Sequence, residues 1–218
     1  MQTKSILTVS IAILFIAMSI KAQVKSNSPA KPQAKNAGSE TKTFGSFTDS
    51  RDGKTYKTVK IGTQTWMAEN LAYKAANGCN AYENDKKKAR MYGYLYTWTA
   101  AVNACPAGWH LPSDDEWTIL ENYLGGDSIA GGKMKESGLT NWNNPNTVTS
   151  NSSGFTALPG GYSFGGRFTN VGYGAGFWWS AAESGVSAWP RYLYYMEARV
   201  YRTAYNKSYG FSVRCIKD

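Results

Sequence analysis

Ser113-Asp114-Asp115-Glu116-Trp117-Thr118-Ile119-Leu120-Glu121-Asn122-Tyr123-Leu124-Gly125-Gly126 is the stretch on which the reading of the fold turns. Ser113 can cap the exposed amides of a helix start, Glu116 three residues on can reciprocate, and the two aspartates sit at the positive helix end. Trp117, Leu120 and Leu124, flanked by Ile119 and Tyr123, form one apolar stripe. Gly125-Gly126 ends the helix by admitting a left-handed residue. The spacing predicts a helix over 113–124, and its acidic cluster reads as a cap rather than a metal site.

Upstream, Leu95, Trp98 and Val102 recur at helical spacing within 94–104, and Pro106 closes that segment. Further back, Tyr56, Val59 and Ile61 precede Gly62-Thr63, and Trp66 and Met67 follow, which predicts a hairpin over 55–71. Between these, 77–90 reads as a polar loop ending in Lys86-Lys87-Lys88. Downstream, a short helical candidate at 129–137 gives way to an abrupt change of composition. From Ser137 to Ala182, Arg167 is the only charged residue in 46, among nine aromatics, nine glycines and six asparagines. Glycine at that density rules out a long helix and predicts short strands joined by loops. The segments 192–200 and 209–216 alternate like antiparallel strands. Helices first and strands later is an α+β order.

The remainder of the chain bears on location. Lys4, an apolar run from Ile6 to Ile20, and Ala22 before Gln23 form an export signal over 1–22, too short for a bilayer span. Residues 23–43, rich in Lys, Ser, Asn, Pro and Gln without apolar period, read as a linker. The folded part is 44–218. The whole chain carries +9, of which the folded part holds only +4, so nucleic acid is not an expected partner. The expected location is secreted, periplasmic or at the cell surface, with no membrane span once the signal is removed. A single histidine, His110, and three cysteines exclude a zinc site of ordinary composition.

A family resemblance rests on Tyr96-Thr97-Trp98, on Cys105-Pro106-Ala107-Gly108-Trp109-His110-Leu111-Pro112-Ser113 with Glu116-Trp117, and on Gly210-Phe211-Ser212-Val213-Arg214-Cys215. Supporting matches are Trp66-Met67-Ala68-Glu69-Asn70-Leu71, Leu158-Pro159-Gly160-Gly161-Tyr162 and Phe177-Trp178-Trp179-Ser180. With these motifs the chain resembles the Fibrobacter succinogenes major paralogous domain family, exported bacterial proteins of undefined activity. The resemblance covers nearly all of 44–218 and implies a C-type-lectin-like fold: two helices packed on a small antiparallel sheet, with a long loop region. In an exported chain of this kind Cys105 and Cys215 can pair, stapling the middle of the domain to its end. Cys79 is then left over as a free or intermolecular thiol, because Ala89 stands where relatives often carry a second cysteine.

In folds of this type the long loops carry recognition, which directs attention to the charge-poor window. Tyrosine and tryptophan faces beside asparagine amides suit sugar rings. Trp142, Tyr162, Tyr173, Trp178 and Trp179 are the ligand-binding candidates, against the reading that such rings fill the core. The expected ligand is glycan or cell-envelope polymer, bound without metal or cofactor. Asn144-Pro145-Asn146 resembles the tripeptide of calcium lectins, but calcium usually needs carboxylates and the window has none. The segment 111–117 also resembles the formylglycine-generating enzymes, whose reactive cysteine pair has no counterpart here. Glu183 and Glu197 could be nominated for glycoside hydrolysis, but nothing in the sequence brings them together. The expectation is therefore a non-catalytic module, with protein partnering or surface display as the alternative.

Overall fold

The computed structural model describes residues 42–146, 148–172 and 174–218. The export signal and all but two residues of the linker lie outside the described residues. Along the chain run β1 (Phe44–Thr48), β2 (Thr55–Ile61), β3 (Gln64–Met67), β4 (Cys79–Asn80), α1 (Lys86–Tyr92), β5 (Leu95–Tyr96), α2 (Trp98–Ala101) and β6 (Trp109–His110). They are followed by α3 (Asp114–Tyr123), α4 (Asp127–Met134), β7 (Tyr162–Phe164), β8 (Arg167–Thr169), β9 (Ala175–Ser184), β10 (Ser187–Tyr194), β11 (Val200–Arg202), β12 (Tyr205–Asn206) and β13 (Ile216–Lys217). No helix among the described residues is long and apolar enough to cross a membrane.

The predicted cap forms. Ser113 Oγ accepts from the Glu116 amide at 3.1 Å, and Glu116 Oε2 accepts from the Ser113 amide at 2.8 Å. Trp117 and Leu120 are buried, while Ile119 and Tyr123 face outward. The predicted hairpin forms too, β2 against β3 with Ile61 opposite Gln64. It sits in a five-stranded antiparallel sheet ordered β1-β2-β3-β13-β6, so the last strand of the chain is inserted between two early ones. A second sheet centres on β10, with β9 along one edge and β11 and β12 end to end along the other. The whole is mixed helix and antiparallel sheet.

Residues 210–216 are the seam between the sheets. The Met67 and Leu71 amides donate to Cys215 and Val213 carbonyls, the Ser212 amide donates to Phe177, and Phe211 and Tyr96 exchange backbone hydrogen bonds. Cys105 and Cys215 are joined by a disulfide across 110 residues of sequence. Gly161 shows how closely the loops pack there: its φ is +64°, and a Cβ would lie 2.3 Å from the Thr169 carbonyl oxygen.

Two expectations need correction. The 94–104 segment is not one helix: Leu95–Tyr96 pairs with β4, and only Trp98–Ala101 is helical. Tyr96 is drawn into strand because the seam residue Phe211 needs its backbone partners. The polar 77–90 loop holds a helix start instead. Asp85 accepts from the Lys87 amide at 2.7 Å and caps α1, which stops at Gly93 in a left-handed conformation.

Two cores flank the second sheet. Phe177, Trp179, Tyr192 and Phe211 belong to one, and Trp178, Leu193, Trp117 and Phe155 to the other. Successive residues of β9 point to opposite sides, so Trp178 enters one core and its neighbours the other. A strand buried on both faces has no polar side, and this is why β9 carries no charge from Ala175 to Ser180.

Candidate ligand-binding surface

Three of the five proposed binding rings are core residues, which corrects the sequence reading. Trp178 and Trp179 are fully buried and Trp142 is 2% exposed. Their indole N–H groups are occupied as well, donating to Asn70 Oδ1 at 2.8 Å, to the Tyr96 carbonyl at 2.8 Å and to the Ala157 carbonyl at 3.0 Å respectively. No ligand can stack on them. Tyr173 lies outside the described residues. Tyr162 alone among the described candidates is half-buried at the surface.

Beneath the surface the most consequential polar group is Arg214, fully buried and with no carboxylate contact among the described residues. Its guanidinium donates to Asn70 Oδ1 at 2.7 Å and 3.2 Å, to the Met67 carbonyl at 3.2 Å, and to the Phe155 and Thr156 carbonyls. It stacks on the Phe155 ring at 4.3 Å. Burial pulls its pKa down to about 9. Asn70 is the organiser, since its amide nitrogen also donates to the Tyr92 carbonyl at 2.8 Å and to Ser212 Oγ at 3.3 Å.

The rings that do reach solvent form a continuous tyrosine face on the second sheet. Tyr192 stacks on Tyr201 at 5.2 Å and meets Tyr194 at 5.5 Å and Tyr205 at 6.1 Å. Tyr205 continues to Tyr209 at 5.4 Å, and Tyr209 to Tyr162 at 5.9 Å and Phe164 at 4.2 Å. Phe177, beneath them, stacks on Tyr192 and meets Tyr162 edge-on. Tyr162, Tyr194, Tyr201, Tyr205 and Tyr209 are each half-buried. Burial, then the proximity of the other phenols, pushes the Tyr205 hydroxyl up to about 12 and raises that of Tyr194. Both stay protonated and able to donate. Neither hydroxyl has a hydrogen-bond partner among the described residues. Beside Tyr194 opens a hollow of about 340 Å³, lined by Asn170, Gly174, Tyr194, Tyr195, Met196 and Glu197.

Sequence reasoning passed over Tyr194, Tyr201, Tyr205 and Tyr209 by confining the search to the charge-poor window. The usable signal was the two-residue spacing of Tyr192 and Tyr194, which puts both rings on one side of a strand.

A family model described as the Fibrobacter succinogenes major domain matches residues 59–217. The chain belongs to that family. No curated protein and no solved structure matches it. Within this Fibrobacter succinogenes major domain the matched segment runs from the middle of β2 to the end of β13, so it contains the staple, the Asn70–Arg214 network and the tyrosine face.

Several other titratable residues of the domain have structural partners. On α3, Asp114 accepts from Arg191 at 2.6 Å and from Arg202 at 2.8 Å, and Glu121 accepts from Arg191 at 2.6 Å. Glu183 pairs with Lys207, and Glu197 accepts from the Tyr201 hydroxyl. Asn146 Nδ2 donates to the Glu136 and Gly138 carbonyls, closing its own loop. Among the described residues no three His, Cys, Asp or Glu side chains form a metal-holding group. Cys79 is a free thiol, but half-buried against the core rather than displayed on an open loop. Its thiol donates to the Ala75 carbonyl at 3.4 Å, and burial pushes its pKa up, away from the reactive thiolate.

His110 holds a clamp. Nδ1 lies 2.6 Å from Asp218 Oδ1 and Nε2 lies 2.9 Å from Glu116 Oε1, so both ring nitrogens donate and the imidazolium is favoured. Partial burial opposes the charge, but the two carboxylates outweigh it and raise the pKa. A raised folded-state pKa means that the clamp's stabilisation is complete below the unfolded value of about 6.5 and fades as pH climbs through the folded value. The stability difference between wild type and His110→Asn should therefore be largest below about pH 6.5 and shrink as pH rises through the folded-state value. It should not exceed about 1 kcal/mol, because the pair is part-exposed. Urea unfolding of both proteins across that range would show it, and a pH-independent difference would refute the clamp.

Proposed function

We propose that this domain is an exported, non-catalytic recognition module of C-type-lectin-like fold that binds glycan or cell-envelope polymer without metal. The carrying observation is the tyrosine face: packed, half-buried rings whose hydroxyls at Tyr194 and Tyr205 have no partner among the described residues. A sugar ring presents C–H groups that suit the faces of such rings and hydroxyls that suit their phenols. The rings support one another, so little order is lost when a ligand settles on them. Helices beside antiparallel sheets, and a disulfide joining the middle of the chain to the residue before its last strand, support the lectin-like reading, although four α-helices are present among the described residues where two were expected. The non-catalytic reading is supported by Cys215 being bound in the staple and by Glu183 and Glu197 each having a structural partner. Export rests on the leader-like segment 1–22.

The test is a calorimetric screen of the protein against soluble polysaccharides, with and without chelator. Binding should survive chelator, and Tyr194→Ala and Tyr201→Ala should each weaken it about tenfold, or about 1.4 kcal/mol. Chelator-sensitive binding would remove the metal-free claim. Absence of any carbohydrate binding, together with a crosslinked protein partner, would replace the proposal with the display reading.

A further inference from the structure

Sharing no residue with the tyrosine face, a second trough lies between the first sheet and α1. Lys54 just before β2, Lys57 of β2, and Arg90 and Met91 of α1 line a hollow of about 570 Å³ that reaches Glu69 and Asn70. A neighbouring hollow of about 540 Å³ shares Lys54 and Arg90 and adds Lys86. None of these four cations is ion-paired with a described residue. The two carboxylates in the lining are already engaged. Glu69 accepts from the Lys57 amide at 2.8 Å, and Glu136 takes both contacts of Asn141 Nδ2 at 3.1 Å and 2.9 Å. Arg214, bound to the same Asn70, adds a buried positive charge behind the wall. Three cations against two carboxylates in the lining, with Arg214 behind it, leave a net positive potential in the trough. Lys54 is held in place there, its ammonium 4.7 Å from the centre of the Tyr56 ring.

The same trough carries apolar surface that a simple polyanion would not use. Phe44 is 60% and Met91 56% exposed, and Ala68 and Leu158 continue the lining. Large apolar side chains left open to solvent beside unpaired cations match a ligand that is itself divided into charge and hydrocarbon. We propose that the trough binds an amphiphilic anion, its carboxylate or phosphate head among Lys54, Lys57 and Arg90 and its alkyl chain along Phe44, Met91 and Leu158.

The experiment is calorimetric titration of the full chain with dodecyl phosphate below its micelle concentration, alongside dodecanoate, dodecanol and inorganic phosphate. Saturable binding of dodecyl phosphate or dodecanoate, weakening as salt rises, is expected. The paired substitution Lys57→Gln and Arg90→Gln should weaken it at least tenfold. Both side chains are exposed and make no hydrogen bond to a described residue, so the fold is unaffected. A preference for phosphate would place the head on the Arg90 fork, and equal binding would place it on the ammonium groups. Dodecanol or inorganic phosphate binding as tightly as the amphiphiles would overturn the proposal. So would full affinity in the charge variant, or loss of binding in Tyr194→Ala, which would put the ligand on the other surface.

Discussion

Replacing Cys105 and Cys215 together by serine is expected to lower the unfolding free energy by about 4–5 kcal/mol, the chain-entropy value for a loop of roughly a hundred residues. The bond closes 110 residues of sequence and anchors the seam strand where it enters the first sheet. Without it, residues 210–217 must hold their place through noncovalent contacts, among them the backbone bonds to Met67, Leu71, Tyr96 and Phe177. Many domains of this size are stable by only 5–15 kcal/mol, so a large fraction of the double variant should be unfolded at moderate urea. Equilibrium unfolding in urea, compared with wild type in the presence and absence of reductant, measures the effect directly. Cys79→Ser serves as the control, with a change of less than about 1 kcal/mol. A double variant within 1 kcal/mol of wild type would show that the seam holds without its covalent bond.

Asn70→Leu should be nearly as damaging. The two side chains have similar size, so little volume is lost and the effect is electrostatic. Leucine removes the acceptor shared by Trp178 Nε1 and the guanidinium of Arg214, as well as the donor to Tyr92 and Ser212. A fully buried cation then keeps only carbonyl partners. Breaking such a network by removing one member costs about 3–5 kcal/mol. Asn70→Asp discriminates charge from shape. It places a carboxylate against Arg214 while giving up the two donated bonds, and it should lie between wild type and the leucine variant. If the aspartate variant were the less stable of the two, the account of Arg214 as an undercompensated cation would fail. Thermal and urea unfolding of all three proteins supply the ranking.

What the sequence disclosed followed from the range of the forces involved. The helix around Trp117 was legible because its cap and its apolar stripe lie within a dozen residues. The 55–71 hairpin was legible for the same reason, its alternation and its Gly62-Thr63 turn being adjacent. The helix at Lys86 was equally local and was missed because a basic run reads as solvated loop, although Asp85 before it and Gly93 after it were both visible. Burial of Trp178 and Trp179 was not local at all. Whether a charge-poor stretch is an open surface or a strand covered on both sides depends on what packs against it, here Phe211 from the seam and Phe155 from a distant loop. For the same reason the charge-poor window pointed to only one ring of the tyrosine face, Tyr162. Half-exposure of Tyr194, Tyr201 and Tyr205 is decided by tertiary packing, and no spacing within β10 or β11 encodes that.

The tyrosine face is held by rings leaning on rings, whereas the backbone seam, the staple and the Asn70–Arg214 network lie underneath it. Exchanging one outer ring therefore leaves the framework's polar contacts untouched. If the face grips the ligand proposed above, specificity and foldability are inherited separately: duplicated copies of such a domain could diverge in what they grip while every copy retained the same chassis.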